Sequence, residues 1–491
     1  MRETHRWIVL ALLSACKAGS NVSEETDPTN PTGETSPPTA ATNPVPADLA
    51  LAKVSLYQGV ESILVEDGAY PTKRQAPVMA GREALVRVFL DPEDTFDARD
   101  VTAVLTASSD AGEVVLEVTD AVESASKDDK LGTTLNFYLA ADQIDASTEL
   151  SVALREATPD GPGGGDEGAT SWSSADAIPG GLPIEATDGV TVVVVPVVYD
   201  ADGSGRVPDT SQATLDAYRD AMYRIYPASS ITMRVGDEVH WDKAVSATNP
   251  FQWQSLLDEI SGIRGDADET PNTYYYGLFV PDESFEAFCS QGCIGGLSEL
   301  GFNTTNPSLR TSIGVGFVEV AAETMVHEVG HAHGRFHADC GGAAGTDPNY
   351  PYPDALIGSW GYDILNDELK DPTVYTDFMG YCPDIWISNY NYVSLWERIS
   401  ALAAQSSARS GMARVSRMRT DGAGHTWLTG SVRVGDPAAG GIVVQVDELD
   451  PRGVKRATVT GWMSPNDHFP GGTVILDHLL PDGWTTQVHD P

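Results

Sequence analysis

The stretch His327-Glu328-Val329-Gly330-His331-Ala332-His333-Gly334-Arg335-Phe336-His337 decides how the rest of the chain is read. In a helix, side chains at i and i+4 lie on one face, so His327 and His331 aim two imidazoles at one point. Glu328 directly follows the first histidine and stands beside whatever the pair holds. Gly334 falls three residues after His331, and glycine takes the left-handed conformation that ends a helix. The chain then turns and brings His337 back as a third nitrogen. Three protein nitrogens with a fourth position open to water is the arrangement of a catalytic zinc site. Histidine is rare here, 10 in 491 residues, so three unrelated histidines are a poor explanation of this spacing. His333 lies off the shared face and reads as packing or surface.

Around this helix, predicted over 318–334, strands and helices alternate. Residues 190–198 are a nearly continuous β-branched run, the pattern of a strand buried on both faces. Leu215, Tyr218, Met222 and Ile225 follow at helical spacing. Residues 231–235 and 273–280 read as strands, 252–263 as a helix. A last amphipathic helix covers 388–404, with Ser388 as its N-cap and Val393, Trp396, Ile399 and Leu402 along one stripe. The order predicts an α/β sheet with covering helices over residues 186–408.

The flanks are different. Residues 51–185 show apolar residues at period two, as in 84–90, 113–118 and 150–154, broken by Asp, Gly, Ser and Pro turns. That is the pattern of a β-sandwich, with a Gly-rich linker near 161–165. Short strands return in 409–491, which predicts a small C-terminal β domain. Its Trp427, Trp462 and Trp484 read as core residues rather than as platforms for sugars. The fold class expected is therefore multidomain: N-terminal β-sandwich, central α/β (α+β) region, small C-terminal β domain. Asp200-Ala201-Asp202-Gly203-Ser204-Gly205 starts like a calcium loop, but Ser211 stands where the bidentate Glu belongs. A solvated Asp/Gly turn is the stronger reading there, with Ca2+ as the weaker one.

The chain starts with Arg2 and Arg6, a short apolar run over 7–13, and Leu13-Ser14-Ala15-Cys16. This reads as a signal peptide over 1–15, and the tetrapeptide resembles the lipobox of bacterial lipoproteins, which implies cleavage before Cys16 and a lipid on it. Residues 16–50 are Thr, Pro, Ser, Asn and Glu with few large apolar side chains, a tether rather than a core. The expected location is an exported lipoprotein at the outer membrane or cell surface, with the membrane touched only through that lipid. With 30 Lys+Arg against 71 Asp+Glu, the net charge of −41 repels nucleic acid. Nothing in the sequence specifies an oligomeric state. The remaining cysteines, Cys289, Cys293, Cys340 and Cys382, are even in number in an exported chain and predict two disulfides. The near pair Cys289/Cys293 leaves Cys340 to reach Cys382. A thiolate metal site is the competing reading, and the spacing fits it poorly.

The pattern H-E-x-x-H-x-x-G-x-x-H, spanning His327 to His337, resembles that of the metzincin zinc proteases. The resemblance covers roughly 186–408 and implies one catalytic Zn2+ on His327, His331 and His337, with Glu328 as general base. It also implies a methionine turn under the metal, for which Asp377-Phe378-Met379-Gly380-Tyr381 is the candidate. Tyr381 then falls where a tyrosine approaches the metal in some branches; packing is its bland role. Residues 296–300 are the candidate for the edge strand that pairs with an extended substrate. Ala338, after the third histidine, matches no branch cleanly, and the arrangement of β domains is loosely like that of secreted bacterial mucin-degrading metzincins. The function implied is a zinc endopeptidase acting on protein or glycoprotein. A non-catalytic surface adhesin on a protease fold is the alternative, and a zinc hydrolase of another substrate class is a third.

Overall fold

Residues Val190–Tyr199 form the central strand, and the β-branched run explains why. Val190, Val192 and Val194 enter one apolar cluster, while Val193, Val195 and Val197 enter another on the opposite face. A strand covered on both sides needs apolar residues at every position, not at alternate ones. The computed structural model describes residues 40–73, 76–290, 292–405 and 411–489. Signal peptide, Cys16, most of the tether and the 408/409 boundary lie outside the described residues.

The sheet runs Ile231–Val235, Val190–Tyr199, Thr273–Phe279, Thr311–Val315, Gly296–Ser298, with Val239–Trp241 added beside the central strand. Its pairings are parallel except the last, where Gly296–Ser298 lies antiparallel to Thr311–Val315 at the sheet edge. Helix Pro250–Asp266 covers one face through Trp253, Leu256, Leu257 and Ile260. Helices Gln212–Ile225, Ala321–Ala332 and Asn389–Ala403 cover the other. Full burial of each such side chain contributes about 1.5–3 kcal/mol against conformational entropy.

The helix of the histidines is shorter than the sequence suggests. It starts at Ala321 rather than 318, because Val318 is 87% exposed on the loop that leaves the sheet. In the last helix Ser388 does cap Asn391 N–H. Its buried stripe is Tyr392, Leu395, Ile399 and Leu402, with Val393 and Trp396 only flanking it.

Before this region, two antiparallel sheets share one core. The first runs Glu61–Glu66, Leu49–Tyr57, Ala84–Pro92, Leu135–Leu139; the second runs Gly112–Val122, Arg99–Ser109, Glu149–Glu156, Ser171–Ser173. Period-two alternation is strict in Glu149–Glu156, whose alternate residues are buried. After it, a six-stranded antiparallel sheet runs Thr426–Val434, Ala413–Thr420, Gly472–Ile475, Lys455–Pro465, Ile442–Leu449, Thr485–His489. None of its tryptophans is a fully buried core residue: Trp427 is exposed, and Trp462 and Trp484 are half-buried. Small aliphatic residues, Val444, Val446, Val474 and Val488, fill that core with Met418 instead.

The three regions are joined by buried polar contacts. Arg82 donates to the carbonyls of Ala228 and Tyr223, and Trp386 Nε1 donates to Gly59 O at 2.7 Å. Arg417 and Arg419, both almost fully buried, meet Asp258 and Glu299 at 2.6–2.9 Å. No helix among the described residues is long and apolar enough to cross a membrane.

Candidate metal centre

The helix Ala321–Ala332 ends in a way that delivers the third histidine. Gly334 takes φ +87°. Its N–H bonds to His331 O at 2.7 Å, and Arg335 N–H bonds to Gly330 O at 3.0 Å. This double bond pattern is a Schellman motif, which a β-carbon at the left-handed position would strain. The chain reverses and places His337 against the helix.

His327, His331 and His337 converge. His331 Nε2 lies 3.1 Å from His327 Nε2 and 3.1 Å from His337 Nε2. Each ring turns its other nitrogen to a backbone carbonyl: His327 to Phe378 O at 2.8 Å, His331 to Arg335 O at 2.6 Å, and His337 to Ala344 O. A carbonyl only accepts, so each Nδ1 carries the proton and each Nε2 presents a lone pair. Three lone pairs directed at one another can make no hydrogen bond among themselves. They fit a cation, and a ligand imidazole anchored through its other nitrogen is the usual support for one. Burial, with the neighbouring rings, holds His327 at about 3 and His337 at about 4 and pushes His331 well below an ordinary histidine, so all three imidazoles are neutral at pH 7.

Glu328 is buried beside this trio, and its Oε2 has no hydrogen-bond partner. Burial raises its carboxyl above the ordinary range, a shift His468 counteracts and Asp467 reinforces. Gly296 of the edge strand lies against it so closely that a β-carbon there would sit 2.4 Å from Glu328 Cγ. His333 is buried elsewhere, stacked on Tyr274 with ring centroids 4.1 Å apart, and takes no part in the trio.

Met379 is fully buried, with its Sδ against the helix at Gly330. The turn that carries it is built by Asp377. The carboxylate of Asp377 accepts from Met379 N at 2.8 Å, Ser388 N at 2.8 Å and Asn391 Nδ2 at 2.7 Å. Tyr381 places its hydroxyl 3.0 Å from His337 Nε2. Cys340–Cys382 ties the loop after His337 to this turn, and Cys289–Cys293 clips the loop before the edge strand.

The turn over 200–205 is internally closed. Asp202 accepts from Ser204 and pairs with Arg206, and the Ser204 and Arg206 contacts hold it at about 2. Two groups of metal-ligand type occur among the described residues, the histidine trio and Glu328/His331/Asp467/His468.

His468 and Asp467 were not legible as site residues. They arrive from the hairpin loop between Lys455–Pro465 and Gly472–Ile475. No local pattern marks an Asp-His pair in a loop as chemical. Gly330 and Asp377 were also without an assigned role, although both lie inside the quoted motifs.

The Peptidase M66 family model matches residues 310–381. The match spans the edge-strand partner, the histidine helix, His337, Met379 and Tyr381, and it supports a metallopeptidase. No curated protein matches the chain. One solved structure, titled "Structure of a chaperone-substrate complex", aligns at 12% identity over 55% of this chain, with a TM-score of 0.24. The chain spans 39% of that structure's length. A likeness at that level says nothing of function.

Proposed function

We propose that the protein is a zinc-dependent endopeptidase acting on protein or glycoprotein. The observation that carries this reading is the convergence of three neutral imidazole nitrogens within 3.1 Å contacts beside a buried carboxylate. The M66 match over the same residues supports it. His327, His331 and His337 would hold the ion. Zinc bound there supplies Lewis-acid activation of water and of the scissile carbonyl.

The other steps belong to the chain. Glu328 takes the proton of the attacking water and hands it to the leaving amine. Burial suits it to both tasks, because a raised carboxyl pKa brings it near the working pH. Of the edge strand Gly296–Ser298, the Ser298 N–H is already taken by Asp467, so pairing with an extended peptide falls to the Gly296 end. Gly296 lets that peptide approach Glu328 without a side chain between them. Tyr381, whose hydroxyl lies 3.0 Å from His337 Nε2, steadies the developing oxyanion. Export as a lipoprotein anchored at Cys16, with action at the cell surface, completes the proposal and is supported by the N-terminal sequence.

The test is metal analysis of the purified chain together with cleavage of casein and of mucin. One zinc per chain and cleavage abolished by a chelator, then restored by zinc, are expected. Cleavage that ignores the chelator would sink the reading.

A further inference from the structure

The centre is not built by the central region alone. The hairpin loop of the C-terminal sheet runs onto the open edge of Gly296–Ser298. Asn466 forms an antiparallel bridge with Glu299, and its Oδ1 accepts from Gln254 Nε2 at 3.3 Å. Asp467, with a fully buried side chain, accepts from Ser298 N–H at 3.0 Å. Phe469 packs edge-on against Phe251, centroids 5.4 Å apart. These contacts fix the loop in register and leave His468 between its two anchored neighbours.

His468 stands over the histidine trio. Its ring centroid is 5.1 Å from that of His337 and 5.9 Å from that of His331. Its Nε2 faces Asp467 Oδ2 at 3.4 Å and Glu328 Oε1 at 3.8 Å. Its Nδ1 lies 2.8 Å from the Tyr381 hydroxyl.

That last contact carries the argument. The Tyr381 hydroxyl has two side-chain partners, His337 Nε2 and His468 Nδ1. The single lone pair of His337 Nε2 cannot serve both a metal and the hydroxyl. Once His337 faces a metal, His468 is the contact that holds the hydroxyl. Ring contacts with His327 and His337 set the phenol plane, but Tyr381 is 46% exposed and those contacts do not fix its hydroxyl. The hydrogen bond fixes the oxygen whichever partner donates.

We propose that His468 is a positioning residue of the peptidase centre: it holds the Tyr381 hydroxyl at the rim of the metal site, so that the C-terminal sheet completes the machinery. This rests on the peptidase reading and on Tyr381 facing the scissile carbonyl. The test compares the full chain with His468→Ala, His468→Asn and His468→Gln. Zinc stoichiometry and zinc affinity should match wild type in all three. With a fluorogenic peptide, His468→Ala should lower kcat about 100-fold, the scale of losing one oxyanion-side contact, and shift KM by less than about threefold. Binding of a phosphinic peptide, a mimic of the tetrahedral species, should weaken by a similar factor when followed by calorimetry.

Asparagine places a polar atom near the position of Nδ1, and glutamine near that of Nε2. His468→Asn should therefore recover much of the loss, and His468→Gln little. On a Tyr381→Phe background, His468→Ala should add less than about twofold, because the two act as one unit. An active wild type with an equally active His468→Ala overturns this proposal alone. Zinc lost in step with activity also overturns it, since His468 would then be a ligand. A wild type that binds zinc and cleaves no peptide overturns the peptidase reading itself.

Discussion

His327 Nδ1 donates to the carbonyl oxygen of Phe378 at 2.8 Å. One contact thereby joins the first histidine of the helix to the residue preceding Met379. The orientation of a ligand and the placement of the turn beneath the helix are set together, so damage to either should appear in both.

Gly330→Ala tests that link. An added β-carbon would lie 2.6 Å from Met379 Sδ and 2.8 Å from Phe378 Cε2. Overpacking of this kind costs about 1–3 kcal/mol, and the displaced turn pulls on His327. A lower thermal midpoint and weaker zinc binding are expected together. Unchanged zinc affinity would show that the turn does not orient the ligand.

Glu328→Gln preserves shape and leaves the three imidazoles untouched. Zinc content should remain at the wild-type level while kcat falls by about 10²–10⁴-fold. Gly296→Ala should reach a milder version of the same end, because its β-carbon displaces the Glu328 side chain and not backbone. Both are read by metal analysis beside peptide cleavage, and full activity in Glu328→Gln removes the general base from the mechanism.

The docking of the C-terminal sheet should be acid-sensitive. Burial pushes Asp258 up, and Arg419 and Arg417 outweigh it, so its carboxyl titrates below the ordinary range. A depressed folded pKa means that this stabilisation is complete above the unfolded value of about 3.9 and is lost as pH falls through the folded one. Melting curves of wild type should lose stability in that acid window, and Asp258→Asn should flatten this part of the pH dependence. At neutral pH, Arg419→Ala leaves buried carboxylate under-compensated and should cost about 3–5 kcal/mol.

Reduction separates the loop after His337 from the turn of Met379, which Cys340–Cys382 spans with a sequence separation of 42. Loop-closure entropy puts this link at about 4 kcal/mol. Cys340→Ala/Cys382→Ala should melt markedly lower and bind zinc less tightly, whereas Cys289→Ala/Cys293→Ala, closing a loop with a separation of 4, should change zinc affinity little.

What could be read from the sequence follows the range of the forces involved. Periodicity is local, so Val190–Tyr199, Gln212–Ile225 and the alternation of Glu149–Glu156 were legible to within a few residues. The spacing of His327, His331, Gly334 and His337 is equally local, since one helix and its cap bring them together. Asp377 sat inside a quoted motif, yet its role depends on Ser388 and Asn391, which only the fold brings near. His468 is separated from His337 by more than a hundred residues, and no pattern within its own loop points to the centre. The core of the C-terminal sheet departs from expectation for a related reason: large tryptophans suggest burial, but which side chains face inward is set by strand pairing across the sheet, and valines fill that core.

The loop that seats Asp467 on Ser298 has a consequence for the order of synthesis. Ribosomes deliver the three histidines more than a hundred residues before this loop. A nascent chain already long enough to capture a metal still has the edge of Gly296–Ser298 bare and nothing to steady Tyr381. The wall of the centre closes only once that loop has emerged and docked on Ser298, so the histidine trio exists in the growing chain before its cover does.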